Sequence, residues 1–454
     1  MKNSVISLLE GMITETISIQ TKDNNKIDVK EFTLKLLRDL QGQYDEDKKI
    51  YNYLNSKGGK RRIAAKTFSW LRKGNIVQTK TDVQTIWSYK GLLVLNPFLG
   101  CNYGCVYCFR EDVTNGNSDW FLKGQPVRVA EDEELFKSLL QHELFIKDET
   151  IIALHSATTE PFLPSVKSST FKLIELIHKN KLKNPILIIT KYYLTEEDVS
   201  RLAYYAKDLN ILLFLTYNAN PPEIEPLGNK PKFKELRWKT RDILARYPEV
   251  KWLHYYRPII EGWNDSVEQI KESLEYGAPS GISVIGGMKL IPDLHSYLKE
   301  RNAPLPKGTY KENTKAMPED LTKKIMKVHR DNNFSSIIVS DQACGISLLI
   351  GKYLGEEISN IEAIKKFDNI RDYKVCMKLC SDKQINLCSN PLKPNRKQVL
   401  FYMKEFDFPN NEFDINDNGV IIKSTSKISS EKIFALIVQL KYPVQQKISK
   451  KHSS

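Results

Sequence analysis

Between residues 90 and 340 the chain alternates six times between a short apolar run and an amphipathic helical stretch, and this alternation constrains the fold more than any other feature. The runs are GLLVLNP (91–97), TIIALHS (150–156), PILIITK (185–191), ILLFLTYN (211–218), VKWLHYYRP (250–258) and ISVIGGMKL (282–290). Each is short and rich in β-branched or aromatic residues, as buried parallel strands are. The clearest helix between them spans Glu196 to Leu209, with Val199, Leu202, Ala203, Ala206 and Leu209 on one face and Thr195 and Asp198 spaced as a capping box. Others cover Phe171 to Leu182 and Ser266 to Tyr276. Repeated strand-helix units place the chain in the α/β class, with a parallel sheet and helices packed against it. Right-handed crossovers allow that sheet to curl into a full or partial barrel, or to stay open and doubly wound. Periodicity alone leaves both open.

Directly after the first run comes CNYGCVYCFR, residues 101–110. Cys101, Cys105 and Cys108 are separated by three and two residues, with Gly104 between the first two and Tyr107 against the last. Thiolates are soft ligands for zinc, copper(I) or an iron-sulfur cluster. Three of them closing one tight loop suit a four-iron cluster, and because the next cysteine is Cys344, one iron is left open. A structural zinc needs a fourth ligand nearby, and a redox CxxC pair leaves Cys101 idle. Seven cysteines, an odd number, exclude a complete disulfide framework.

The CxxxCxxC spacing, with an aromatic residue before the last cysteine, resembles the signature of the radical S-adenosylmethionine enzymes. The wider stretch LNPFLGCNYGCVYCFR, residues 95–110, is similar to the branch that contains spore photoproduct lyase. The resemblance implies a partial (β/α)6 TIM-type barrel, with a 4Fe-4S cluster loop after the first strand and S-adenosyl-L-methionine on the open iron. It implies an electron donor such as flavodoxin or ferredoxin, whose electron splits the sulfonium to a 5′-deoxyadenosyl radical. Strand ends then face the chemistry. By the same resemblance Glu160, in a Thr-Glu-Pro context, accepts from the cofactor ammonium, and Lys191 meets its carboxylate. Asn218 meets ribose or carboxylate, and Tyr107 flanks the cluster. Read as residues alone, Glu160 caps the next helix, Lys191 is a solvated strand end and Asn218 begins a turn.

The lyase returns a hydrogen atom from a cysteine after its second strand. This chain has none between Cys108 and Cys344, which departs from the lyase's own reaction unless a tyrosine such as Tyr192 or Tyr217 serves as donor. Strand alternation sets Tyr255 and Arg257 on one face, where Arg257 can orient an anion, and His254 and Tyr256 on the other. His254 reads as a satisfied core residue. Gly286 and Gly287 suit either close approach of a ligand or a bulge.

Outside the alternating region, residues 1–90 read as a small, mainly helical module. It has an amphipathic helix through Val29, Phe32, Leu36, Leu37 and Leu40, and a polar one near residues 45–55. Lys60, Arg61, Arg62, Lys66 and Arg72, with Trp70 among them, can grip phosphates or form a solvated face. Residues 91–295 are the core and 296–394 a linker and cysteine-bearing extension, with a helix over 318–332 and the strand SSIIVSDQAC (335–344). Cys344, Cys376, Cys380 and Cys388 form a second ligand set for an auxiliary cluster or zinc, or are core thiols. Residues 395–454 read as an α+β tail with strand 419–424, helix 431–440 and a disordered QQKISKKHSS end.

A formal charge of +13 permits a partner such as DNA or RNA, and equally reflects a lysine-rich composition. No apolar run approaches the ~20 residues of a membrane span. Glu10 and Glu15 interrupt what an export signal needs, so the expected compartment is cytoplasmic.

Overall fold

All six apolar runs are neighbouring strands of one sheet. The computed structural model describes residues 85–89, 91–108, 126–156, 158–225, 227–228, 230–289, 315–339, 342–355, 393–409, 412–417, 419–440 and 442–448, and the backbone of three short strands before them. The sheet opens with a hairpin, β1 (Ile86–Tyr89) antiparallel to β2 (Leu92–Leu95). It continues in parallel through β3 (Ile151–Leu154), β4 (Ile186–Thr190), β5 (Ile211–Leu215), β6 (Trp252–Ile259) and β7 (Ile282–Lys289). β8 (Lys315–Ala316) and β9 (Ile337–Val339) both pair with β7, antiparallel and parallel respectively.

From β2 to β7 the strand order equals the chain order. A doubly wound sheet reverses direction at a switch point, and this one does not. Among the described residues its end strands β1 and β8 do not pair with each other.

The intervening helices are α1 (Asp132–Leu140), α2 (Lys167–Lys179), α3 (Glu196–Ala206), α4 (Pro231–Leu244) and α5 (Val267–Gly277). The anticipated capping box at Thr195 and Asp198 is present, and Ser266 with Gln269 forms another at α5. Each satisfies two backbone donors that a helix start otherwise leaves open.

Alternation along the strands divides the core. Leu93, Leu95, Ile152, Leu154 and Ile188 share one cluster with Ile174 of α2 and Leu202 of α3. Leu92, Val94, Leu187, Phe214, Leu253 and Val284 point to the other face. A helix after β9, α7 (Gln342–Tyr353), covers that second face with Ile346, Leu348 and Leu349. Burying each such side chain is worth roughly 1.5–3 kcal/mol. Gly345 permits the close approach, since a Cβ there would lie 2.7 Å from Val284 Cγ2 and 2.8 Å from Leu253 Cδ2. Tyr353 donates to the Ile211 carbonyl at 2.8 Å and Lys352 to that of Ser280 at 2.5 Å. These bonds set the end of α7 at the starts of β5 and β7, so it runs antiparallel to them.

Several expectations are corrected. The segment SSIIVSDQAC is strand only to Val339; Cys344 lies in α7, because Ile346, Leu349 and Ile350 cover the sheet at helical spacing. By contrast, the helix anticipated over 318–332 is present as α6 (Glu319–Asp331), with Pro318 and Asn332 as its caps. In the tail, α8 (Arg396–Glu405) precedes β10 (Phe413–Asn416) and β11 (Gly419–Ser424), and α9 (Ser430–Leu440) follows. The chain end is not disordered throughout, for Val444–Ile448 is strand β12, parallel to β11. Within residues 1–90, Ser18–Thr21, Lys26–Asp28 and Ile76–Thr79 form a three-stranded sheet and β1 joins the main one. The two N-terminal helices, the basic segment at 60–72, Cys376, Cys380, Cys388 and residues 449–454 lie outside the described residues.

Candidate active site

β2 delivers the chain to the cysteine loop, and two glycines shape it. Gly100 and Gly104 have φ of 92° and 85°, the left-handed region that glycine enters without a Cβ clash. Thr158 Oγ1 anchors the approach by donating to the Phe98 carbonyl at 2.6 Å. Within the loop Tyr103 and Tyr107 turn inward and are buried, leaving the three cysteines half-buried. The Val106 N–H donates to the Ile224 carbonyl at 3.1 Å, and Tyr103 to that of Lys191 at 3.2 Å. The loop is thus tied to β4 and to the segment after β5.

The Tyr107 hydroxyl is the centre of a buried polar group. It donates to Glu225 Oε1 and accepts from Lys191 Nζ at 2.6 Å. The amide nitrogens of Asn220 and Asn218 stand 3.4 and 3.5 Å away. Lys191 Nζ also reaches Glu225 Oε1 at 2.7 Å, and Arg237 Nη1 of α4 lies 3.9 Å from Glu225 Oε2. Glu225 is wholly buried. Burial alone raises its pKa, yet Lys191 and Arg237 outweigh that and hold the carboxyl at about 2. Burial pushes the Tyr107 hydroxyl well above its ordinary value, so it remains a donor.

Glu160 joins from β3's end. Its Oε2 accepts from the Lys191 N–H at 2.9 Å and its Oε1 from the Thr190 hydroxyl. It does not cap α2, whose N-cap is Val166. Glu160, Lys191, Asn218 and Tyr107 are therefore brought together from three strand ends and the loop.

Of the other expected residues, Tyr192 packs with Cys101 against Phe98, Leu163 and Val166, the Arg257 carbonyl accepts from Asn218 Nδ2 at 3.2 Å, and the Tyr217 side chain points away from the loop. The Tyr217 hydroxyl, on the helix side of the sheet, donates to Glu272 and accepts from Trp238 Nε1 at 3.2 Å, with its ring stacked on Tyr276 at 4.3 Å. Tyr192 stacks on Tyr193 at 4.7 Å, and burial lifts its pKa to about 12. Arg257 lies on the α7 side as alternation requires, donates to Tyr255 at 3.1 Å and occupies the space beside Gly286. Tyr255 in turn lies 3.4 Å from Gln342 at the start of α7. Cys344 packs on the apolar face under α7. His254 is buried, with its ring nitrogens 2.8 Å from the Tyr217 carbonyl and 3.2 Å from Ser283, and burial holds its pKa near 4.

The residues absent from the sequence reading are Glu225, Arg237, Asn220 and Trp263. One signal was available for Arg237. It shares the buried stripe of α4 with Phe233, Thr240 and Leu244, and a cation on such a stripe needs a buried anion.

The donor chemistry fits an iron-sulfur cluster with a polar ligand beside it. Burial pushes the Cys105 thiol up, Glu225 adds to this and Lys191 opposes it, so a bound soft cation is what makes a thiolate there. Among the described residues no three His, Cys, Asp or Glu side chains converge as a single-ion site. Cluster thiolates instead occupy separate iron corners. Asn218 Oδ1, Asn220 Oδ1 and Trp263 Nε1 are buried with no hydrogen-bond partner. Buried polar atoms are normally paired, so two acceptors and a donor left open beside Tyr107 mark a ligand position.

No family model and no curated protein matches the chain. Similar solved structures include a hexahistidine-tagged anSMEcpe with bound AdoMet, at a TM-score of 0.32 and 17% identity, covering 58% of this chain and 64% of that one. Native anSMEcpe with bound AdoMet gives 0.32 and 18%, over 58% and 67%. The same protein with AdoMet and Cp18Cys peptide gives 0.32 and 16%, over 67% and 84%. These values are too low to assign a fold, and the reading of the site rests on its own geometry.

Proposed function

We propose that the chain is a radical S-adenosylmethionine enzyme whose sheet is a partial (β/α)6 barrel. One observation carries this reading: Tyr107, Lys191 and Asn218, from the cysteine loop and the ends of β4 and β5, meet at one hydroxyl. A 4Fe-4S cluster with S-adenosylmethionine supplies, when bound and reduced, homolytic cleavage of a carbon-sulfur bond. Cys101, Cys105 and Cys108 hold the cluster. Glu160 accepts from the cofactor ammonium, and Lys191 donates to its carboxylate by charge-assisted bonds. Asn218 Oδ1 accepts from a hydroxyl. Val106, Tyr107, Ile260, Trp263 and Met288 form an apolar cover that keeps water from the loop.

The reading includes a cytoplasmic location and an electron donor such as flavodoxin or ferredoxin; among the described residues no helix is long and apolar enough to cross a membrane. The charge of +13 makes nucleic acid the first substrate to test, with a peptide, protein or metabolite second. Anaerobic reconstitution with iron, sulfide and dithionite, followed by S-adenosylmethionine, is expected to release 5′-deoxyadenosine. Cluster-loaded protein that releases none sinks the enzyme reading. Oligonucleotide affinity that does not fall with salt removes the nucleic-acid substrate.

A further inference from the structure

Lys191 is already occupied. Its ammonium lies 2.7 Å from Glu225 Oε1 and 2.6 Å from the Tyr107 hydroxyl, so an incoming carboxylate must compete with Glu225 for it. Glu225 is wholly buried, and a buried carboxylate that loses its cation is strongly destabilised. Glu225 has a second one. Arg237, itself 2% exposed, is fixed by a bond from Nη2 to the Thr216 carbonyl and by its position over the Tyr217 ring at 4.6 Å. Its Nη1 lies 3.9 Å from Glu225 Oε2, whereas Lys191 approaches the opposite oxygen, Oε1, so the two cations do not share a contact atom. Tyr107 and Asn220, the latter at 3.1 Å, continue to donate to Oε1.

From this arrangement we infer that Arg237 is a positioning residue that releases Lys191: by keeping Glu225 neutralised, it lets the Lys191 ammonium transfer from Glu225 to the carboxylate of the amino-acid end of the ligand. This rests on the proposed function. Arg237 is not among the residues assigned to the ligand or the cluster; its contacts are with Glu225, the Thr216 carbonyl and the Tyr217 ring. It acts through Glu225.

The test is equilibrium binding of S-adenosylmethionine to anaerobically reconstituted full-length protein, matched for iron content, with the decarboxylated analogue measured in parallel. In Arg237→Gln, Glu225 loses the guanidinium and holds Lys191 more tightly, and affinity for S-adenosylmethionine is expected to fall roughly tenfold or more, a single lost ionic contact. Affinity for the decarboxylated analogue should be unchanged. The double variant Glu225→Gln/Arg237→Gln has neither the buried carboxylate nor the cation that neutralises it, and should regain wild-type affinity. Wild-type affinity in the single variant overturns the inference. So does an equal loss for both ligands, or a double variant no better than the single, because either result shows Arg237 to be structural. Wild-type protein that binds neither ligand overturns the proposed function instead.

Discussion

The Lys191 ammonium stands 2.6 Å from the Tyr107 hydroxyl although 84 residues separate them, so the end of β4 and the cysteine loop form one site. The same hydroxyl donates to Glu225, which no local pattern connects to either residue. The network joins a residue of the cysteine loop to groups expected at the ligand.

Iron content follows from the cysteine assignments. Cys105→Ala should remove one cluster's iron, about four atoms per chain. If Cys344, Cys376, Cys380 and Cys388 hold an auxiliary cluster, reconstituted wild-type protein should carry about eight and the variant about four. Colorimetric iron analysis reads both. A wild-type value near four, with zinc absent, excludes the second cluster.

Glu225 gives the fold an acid-sensitive contact. Its carboxyl titrates near 2 in the fold against an ordinary 4.5, so the unfolded chain binds the proton first as pH drops. The stabilisation is complete above about pH 4.5 and disappears as pH falls toward 2. Urea unfolding of wild-type protein should therefore lose stability over this interval, and Glu225→Gln should show a shallower loss. Parallel curves would mean that Glu225 is not the charged partner of Lys191 and Arg237.

His254 acts higher on the pH scale. Burial keeps it neutral with a pKa near 4, against 6.5 when unfolded, so protons favour the unfolded chain between these values. Stability should decline as pH drops from about 6.5 to 4, and His254→Gln should flatten that decline. Thermal melts across the interval measure it, with the Glu225 effect confined to lower pH.

Gly345 tests the cover that α7 provides. A methyl group there meets Val284 at 2.7 Å and Leu253 at 2.8 Å, closer than side chains pack. Gly345→Ala should cost roughly 1–3 kcal/mol in chemical unfolding, the usual range for overpacking, and Gly345→Val more. Tolerance of valine would show that α7 does not seat on the second face of the sheet.

Local periodicity made most of the fold legible. Alternation within VKWLHYYRP placed Tyr255 and Arg257 opposite His254 and Tyr256, and the observed faces agree because side chains on a strand must alternate. Capping at Thr195 was readable because its partner, Asp198, is only three residues away. Val444–Ile448 was missed for the converse reason: VQQKI has little intrinsic strand character and is held by β11. Cys344 was assigned to a strand because an apolar run does not reveal which face, and at what period, it will cover.

By itself the sequence determined the α/β class, the six strands and the cysteine loop after the first of them, because strand period, helix period and turn chemistry are local. It also selected Glu160, Lys191, Asn218 and Tyr107 through resemblance. Only the tertiary structure decided that these four meet, that α7 covers one face of the sheet, and that Glu225 and Arg237 complete the charge network. The reason is electrostatic and long-range: a buried carboxylate such as Glu225 is stable only where the fold delivers cations to it, and Lys191 and Arg237 arrive from separate elements.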